Sequence, residues 1–153
     1  MYHIKKMSQD SAEAIAQQWQ YPGEYAFYDM TADPEDYKEL VTSELRQENY
    51  FEVLEKGQLI GFFCIDLQEE QTCEFGLGLR PDLTGKGFGK VFLAEILQFI
   101  QEQYGIRNFK LAVATFNQRA IRLYEQTGFR SLEIYQQATN GGHYEFLRME
   151  KNI

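Results

Sequence analysis

The stretch Leu77-Gly78-Leu79-Arg80-Pro81-Asp82-Leu83-Thr84-Gly85-Lys86-Gly87-Phe88-Gly89-Lys90 constrains this chain more than any other. An apolar strand pattern runs into a glycine-dense turn and then into a long amphipathic helix pattern. Gly85, Gly87 and Gly89 stand at every second position and place no side chain in the way. Several backbone N–H groups can therefore converge on one anion at the helix N-terminus. The spacing predicts a phosphate cradle, with a purely structural turn as the plainer alternative. Two better-known nucleotide loops do not fit. A P-loop needs a glycine where Arg80 stands and a Ser or Thr where Gly87 stands. A dinucleotide fingerprint needs Gly-x-Gly-x-x-Gly early in a strand-helix-strand unit, and here Gly-x-Gly-x-Gly follows antiparallel strand patterns.

The rest of the chain supplies the frame. Residues 2–7 read as a short first strand. Asp10-Ser11-Ala12-Glu13 has capping-box spacing, and Ala12, Ile15, Ala16 and Trp19 follow at helical intervals, predicting a helix over 10–20. A loop dense in aromatics, broken by Pro22-Gly23, fills 20–30. Asp33-Pro34 opens a second helix with Tyr37, Leu40, Val41 and Leu45 as its inner stripe. Tyr50–Glu55, Leu59–Leu67 and Thr72–Arg80 read as strands whose short connections make them antiparallel neighbours. A helix over 87–104, a strand over Asn108–Thr115 and a helix over Asn117–Thr127 stopped by Gly128 follow. Two last strands, over 129–137 and 143–150, flank the turn signal Asn140-Gly141-Gly142. The reading is one α+β, three-layer domain over residues 1–153. Its central sheet is mixed, mostly antiparallel and of about seven strands, with helices on both faces.

Charge and composition exclude several classes. A net charge of -8 argues against a nucleic-acid partner and mildly favours a cationic one. No run approaches the ~18 apolar residues of a membrane span. The N-terminus has no apolar signal region, so the expected compartment is cytoplasmic. Cys64 and Cys73 read as buried thiols, with no spacing that suggests a metal site.

Asn117 and Tyr124 are seven residues apart on one predicted helix. Both then face the same way, about 10.5 Å apart along the axis. An amide can bond peptide-like groups and a phenol can donate a proton. Each alone also reads blandly, as a helix cap and a core tyrosine.

Together with the glycine turn, these residues resemble the GNAT superfamily of acyl-CoA-dependent N-acetyltransferases. Thr84-Gly85-Lys86-Gly87-Phe88-Gly89 matches its Arg/Gln-x-x-Gly-x-Gly/Ala hallmark, except that Thr84 stands where Arg or Gln is usual. Asn117-Gln118-Arg119-Ala120-Ile121-Arg122-Leu123-Tyr124-Glu125-Gln126-Thr127-Gly128-Phe129 matches its downstream segment. The order of elements agrees along the whole chain.

The resemblance implies acetyl-CoA as cosubstrate and direct attack by a primary amine of a small molecule or peptide. It places Leu77, Leu79, Arg80, Thr84, Gly85, Lys86, Gly87, Phe88, Gly89, Lys90 and Asn117 against coenzyme A. Tyr124 matches the general-acid tyrosine. Glu74 is the candidate base: alternation puts it on one face with Gly76 and Gly78, whose missing side chains leave space beside the carboxylate. The plainer alternative is a solvent-facing Glu74. Glu24, Tyr25, Tyr28 and Asp29 of the aromatic loop are candidates for receiving the acceptor. His143 is a weaker candidate base, and no metal is implied. A homodimer is common in the family. The competing functions are transfer of another acyl group, or a non-catalytic acyl-CoA-binding sensor module.

Overall fold

A computed structural model describes residues 2–153. One seven-stranded sheet forms the centre, built from β1 (His3–Lys6), β2 (Tyr50–Glu55), β3 (Gln58–Gln68), β4 (Thr72–Leu79), β5 (Asn108–Ala114), β6 (Arg130–Thr139) and β7 (Gly142–Asn152). Their spatial order is β1-β2-β3-β4-β5-β7-β6. Every neighbouring pair is antiparallel except β4 and β5. Those two pair only at Thr72, Cys73 and Glu74, against Asn108, Phe109 and Lys110. Beyond Glu74 they part, and the β5 side of Phe75–Leu79 has no strand partner.

The helices are α1 (Gln9–Gln18), α2 (Pro34–Val41), α3 (Ser43–Arg46), α4 (Gly89–Tyr104) and α5 (Gln118–Gln126). Strand alternation sends successive side chains to opposite faces, so each face of β2 and β3 builds its own core. Phe51, Val53, Phe63 and Ile65 pack with Phe92, Leu93, Ile96 and Ile100 of α4. Phe51 and Phe63 stack with ring centroids 4.9 Å apart. Tyr50 and Phe62 turn the other way, onto Ile15, Trp19 and Leu40 beneath α1 and α2. The β6–β7 hairpin turns on Asn140 and Gly141, both at positive φ (52° and 77°), as a tight two-residue turn requires.

Local differences from the sequence reading have physical causes. The cap of α1 is Ser8, whose side chain accepts from the Ser11 N–H, so the helix starts before the Asp10 capping box. Ser8 is fixed there because its own N–H donates to the buried Glu52 carboxylate at 2.8 Å. Thr42 adopts an extended backbone and ends α2, as predicted for neither Thr42 nor its neighbours. Leu45 therefore lies on the separate α3 turn and is exposed rather than part of an inner stripe. Arg46 is buried in its place, donating to the Leu40 carbonyl at 2.6 Å. Cys73 is buried, whereas Cys64 is only partly so. Among the described residues no helix is long and apolar enough to cross a membrane.

Candidate active site

A cleft of about 900 Å³ opens where β4 and β5 part. Its walls are the free edge of β4, the glycine turn, the first turns of α4 and α5, the aromatic loop and the inner side of α2.

The glycine turn forms the anion end. Gly85 and Gly87 lie at φ +72° and +85°, backbone that L side chains rarely adopt. Gly89 is needed for proximity, because a Cβ there would sit 3.0 Å from Leu123 Cδ2 of α5. No side chain caps the start of α4. Its first N–H groups are left for a ligand, and the helix dipole favours a negative one. Thr84, Gly85, Gly87, Gly89 and Lys90 line this end.

The side chains of three residues expected against coenzyme A do not line the cleft. The Arg80 guanidinium is held by Asp82 at 2.6 Å and donates to the Leu59 carbonyl at 3.2 Å. Arg80 and the exposed Phe88 border a separate cavity of about 180 Å³. Lys86 is solvent-exposed and lines neither cavity.

Along β4, Leu77 and Leu79 line the cleft. The Tyr21 hydroxyl donates to the Leu79 carbonyl at 2.8 Å, tying the aromatic loop to the strand end. Gly76 leaves open space, since a Cβ there would make only an ordinary 3.5 Å contact with Cys64 Sγ. Gly78 does not. The Phe62 ring fills its space, 2.3 Å from where a Cβ would stand, so the room expected beside Glu74 exists at Gly76 alone. Glu74 lines the cleft and pairs with Arg148 at 3.2 Å. Arg148 also pairs with Glu133 at 3.2 Å and lies over the Tyr135 ring at 4.8 Å.

On α5, Asn117 is the N-cap: its Oδ1 accepts from the Ala120 N–H at 3.2 Å. Its Nδ2 donates to the Tyr28 hydroxyl oxygen at 3.1 Å. Tyr124 is 8% exposed and packs in the main core, edge-to-face with Phe129 at 5.7 Å. Leu123, not Tyr124, forms the cleft wall on that turn. Burial, with the nearby Tyr28 adding to it, pushes the Tyr124 phenol well above the usual tyrosine range. Such a phenol stays protonated near neutral pH.

The end of the cleft where the acceptor is expected is acidic. Tyr25, Tyr28 and Asp29 line it, whereas Glu24 does not. Asp29 is oriented by the Tyr21 N–H at 2.8 Å. Asp36 and Glu39, one turn apart on α2, complete this wall. Although Asp36 is exposed, partial desolvation of its carboxyl against the cleft wall, and then the charges of Asp33, Glu39 and Glu35, push it up to about 6. Glu39 accepts from the Tyr50 hydroxyl. Cys64 lines the same region, its thiol pushed up to about 11, mainly by burial. Neither Asp29, Asp36 nor Glu39 has an ion-pair partner among the described residues. His143 is exposed on the last hairpin and does not line the cleft.

Sequence reasoning missed Asp36, Glu39, Tyr21, Arg119 and Arg148 as cleft residues. Arg119 carried a signal, two positions after Asn117 on the same first turn. The others depend on how distant segments fold over the sheet.

The acetyltransferase (GNAT) family model matches residues 12–129. The chain belongs to this family. Within it, the chain is 34% identical over 80 residues to "Acetyltransferase PseH" of Campylobacter jejuni, covering 52% of this chain and 50% of that one. It is 32% identical over 83 residues to the ribosomal protein bS18 alanine N-acetyltransferase of Haemophilus influenzae, covering 54% and 55%. These matches span about half the length of the curated relatives. Solved N-acetyltransferase structures match nearly the whole chain. A chimera of the Vibrio cholerae spermidine N-acetyltransferase superposes with a TM-score of 0.75 at 19% identity, covering 99% of this chain and 95% of that one. The Escherichia coli ribosomal-protein-S18-alanine N-acetyltransferase gives 0.70 at 20% identity, covering 100% and 94%. At these identities the superpositions establish the fold.

Proposed function

We propose that this chain is an acetyl-CoA-dependent N-acetyltransferase acting on a primary amine of a small molecule or peptide. The observation that carries the reading is the continuity of the cleft. It joins an uncapped helix N-terminus beside a glycine turn, an open strand edge and an acidic chamber. Its volume of about 900 Å³ falls within the range of cofactor-sized clefts.

Coenzyme A fits these residues by chemistry. The phosphates match the N–H groups of the glycine turn and of α4, with Lys90 adding charge. The peptide-like arm matches the β5-side edge of Leu77–Leu79, which lacks a strand partner although the Tyr21 hydroxyl already holds the Leu79 carbonyl. Acetyl-CoA, when bound, supplies an acyl group activated as a thioester. The residues then have three tasks. Alternate N–H groups of the β4 edge point into the gap and stabilise charge gathering on the carbonyl oxygen. Glu74, positioned by Arg148, takes the proton that the ammonium must lose before it can attack. The resemblance to the family's general-acid tyrosine assigns the return of a proton to the departing sulfur to Tyr124, which packs behind the Leu123 wall rather than lining the cleft. Asp29, Asp36 and Glu39 favour a cationic acceptor at the far end.

The test is to mix the protein with acetyl-CoA and a panel of amines, recording thiol release and product mass together. Amine-dependent release with a product heavier by one acetyl group is the expected result. Acetyl-CoA binding with no release for any amine supports a sensor module instead. Among active enzymes, Glu74→Gln lowers turnover with little change in acetyl-CoA affinity; unchanged turnover assigns the base elsewhere.

A further inference from the structure

We propose that Arg119, held on the ring of Tyr25, supplies the phosphate-binding charge that Thr84 does not. An aromatic of the acceptor loop is thereby a positioning residue for the cofactor. The inference rests on the acetyl-CoA reading, because it names the side chain that meets that ligand's phosphates.

Thr84 is neutral, and its hydroxyl is spent on the Pro81 carbonyl at 2.8 Å. Arg80 is tied to Asp82, and Lys86 faces solvent. Arg119 reaches the turn from another element. Its Nη1 lies 2.9 Å from where a Cβ on Gly85 would stand, so the guanidinium rests on the glycine turn itself. Gly85 is thus constrained twice, by its φ of +72° and by this arginine. Arg119 forms no ion pair among the described residues, unlike Arg80, Arg130 and Arg148. A planar fork of donors with no carboxylate partner, laid over an anion cradle, is suited to phosphate oxygens.

Tyr25 explains how an exposed arginine keeps that position. Its ring lies 4.5 Å from the Arg119 guanidinium carbon. The ring is itself backed by Phe116, with centroids 6.0 Å apart. Tyr25 belongs to the 3-10 turn Gly23–Tyr28, whose last residue bonds Asn117. The loop that borders the acceptor chamber therefore grips α5 twice, through Tyr25 to Arg119 and through Tyr28 to Asn117. Binding of phosphates by Arg119 steadies that loop, and by linkage an ordered loop tightens the hold on the cofactor.

The experiment is calorimetric titration of the whole chain with coenzyme A, with inorganic pyrophosphate as a competing probe. Arg119→Gln is expected to weaken coenzyme A by about 10- to 100-fold, the range for a lost charged hydrogen bond. It also flattens the dependence of affinity on salt and weakens competition by pyrophosphate, whose remaining hold is the glycine turn and Lys90. Tyr25→Ala weakens binding by a smaller factor, and Tyr25→Phe, which keeps the ring, restores it. The double variant Arg119→Gln/Tyr25→Ala binds no more weakly than Arg119→Gln, because the two residues act as one unit. Unchanged thermal midpoints show that each variant is folded. Wild-type affinity in Arg119→Gln overturns the proposal. Equal losses in Tyr25→Ala and Tyr25→Phe, or additive losses in the double variant, overturn the role of the ring. Failure of the wild-type protein to bind coenzyme A overturns the acetyl-CoA reading beneath it.

Discussion

Asn117 and Tyr28 are 89 positions apart in the chain and share a hydrogen bond of 3.1 Å, donated by Nδ2 to the phenol oxygen. The same amide's oxygen caps α5 through the Ala120 N–H. One side chain thus fixes both the start of a helix and the pose of the loop opposite. Asn117→Ala removes both bonds. A lost cap costs about 1 kcal/mol and the stranded partner adds about as much again. Tyr28→Phe removes only the second. Denaturant melts of the two variants should rank Asn117→Ala as the less stable, and the reverse order would place the main role in the loop.

Tyr124 is held protonated by burial, and the part proposed for it in turnover is that of a donor. Tyr124→Phe keeps the ring contact with Phe129 and deletes only the hydroxyl. Turnover should fall by about 10²–10⁴, as for loss of a general acid, with coenzyme A affinity unchanged. Steady-state kinetics beside a binding titration reads this, and undiminished turnover would remove Tyr124 from the chemistry.

Asp36 gives the fold a pH dependence of definite sign. Its carboxyl titrates at about 6 in the folded chain against 3.8 ordinarily, so the folded state holds its proton more tightly. The stability this group allows is complete below 3.8 and declines as the pH rises through about 6. Asp36 is solvent-exposed, so screening keeps the effect small: Asp36→Asn should raise the thermal midpoint slightly near neutrality and leave it unchanged near pH 4. Melting curves across that range test it. A variant less stable than wild type at neutral pH would show that the charge has a stabilising partner.

The Phe62 ring occupies the space over Gly78, so a methyl group there collides with it. Gly78→Ala should destabilise the chain by about 1–3 kcal/mol, the usual cost of overpacking. Phe62→Leu in the same chain should recover part of that loss. Equal stability of Gly78→Ala and wild type would mean that the ring swings aside freely.

The glycine turn and the Asn117–Phe129 segment were legible because their chemistry is local. Positive φ needs Gly85 and Gly87, and a helix start needs a cap at Asn117. The seven strands were legible too, since alternation and short turns leave few other pairings. Legibility stopped where a side chain's partner is distant or unexpectedly near. Arg80 resembles a phosphate ligand until Asp82, two residues on, is seen to hold it. Asp36 and Glu39 belong to the helix opened by Asp33-Pro34, and only the packing of α2 over Tyr50 turns them into a cleft wall. Gly78 promised open space because nothing in its neighbourhood of the chain announces a Phe62 ring from the adjacent strand.

The fork between β4 and β5 leaves two part-sheets, one of four strands and one of three, bridged by three residue pairs. Each part is laddered internally, while alternate amides of Phe75–Leu79 face the gap with no carbonyl opposite. Those amides should exchange faster in the empty protein than the amides paired inside either part-sheet. An extended ligand in the gap would act as an eighth strand and slow that exchange, so the act of loading would also be the last step of assembling the sheet.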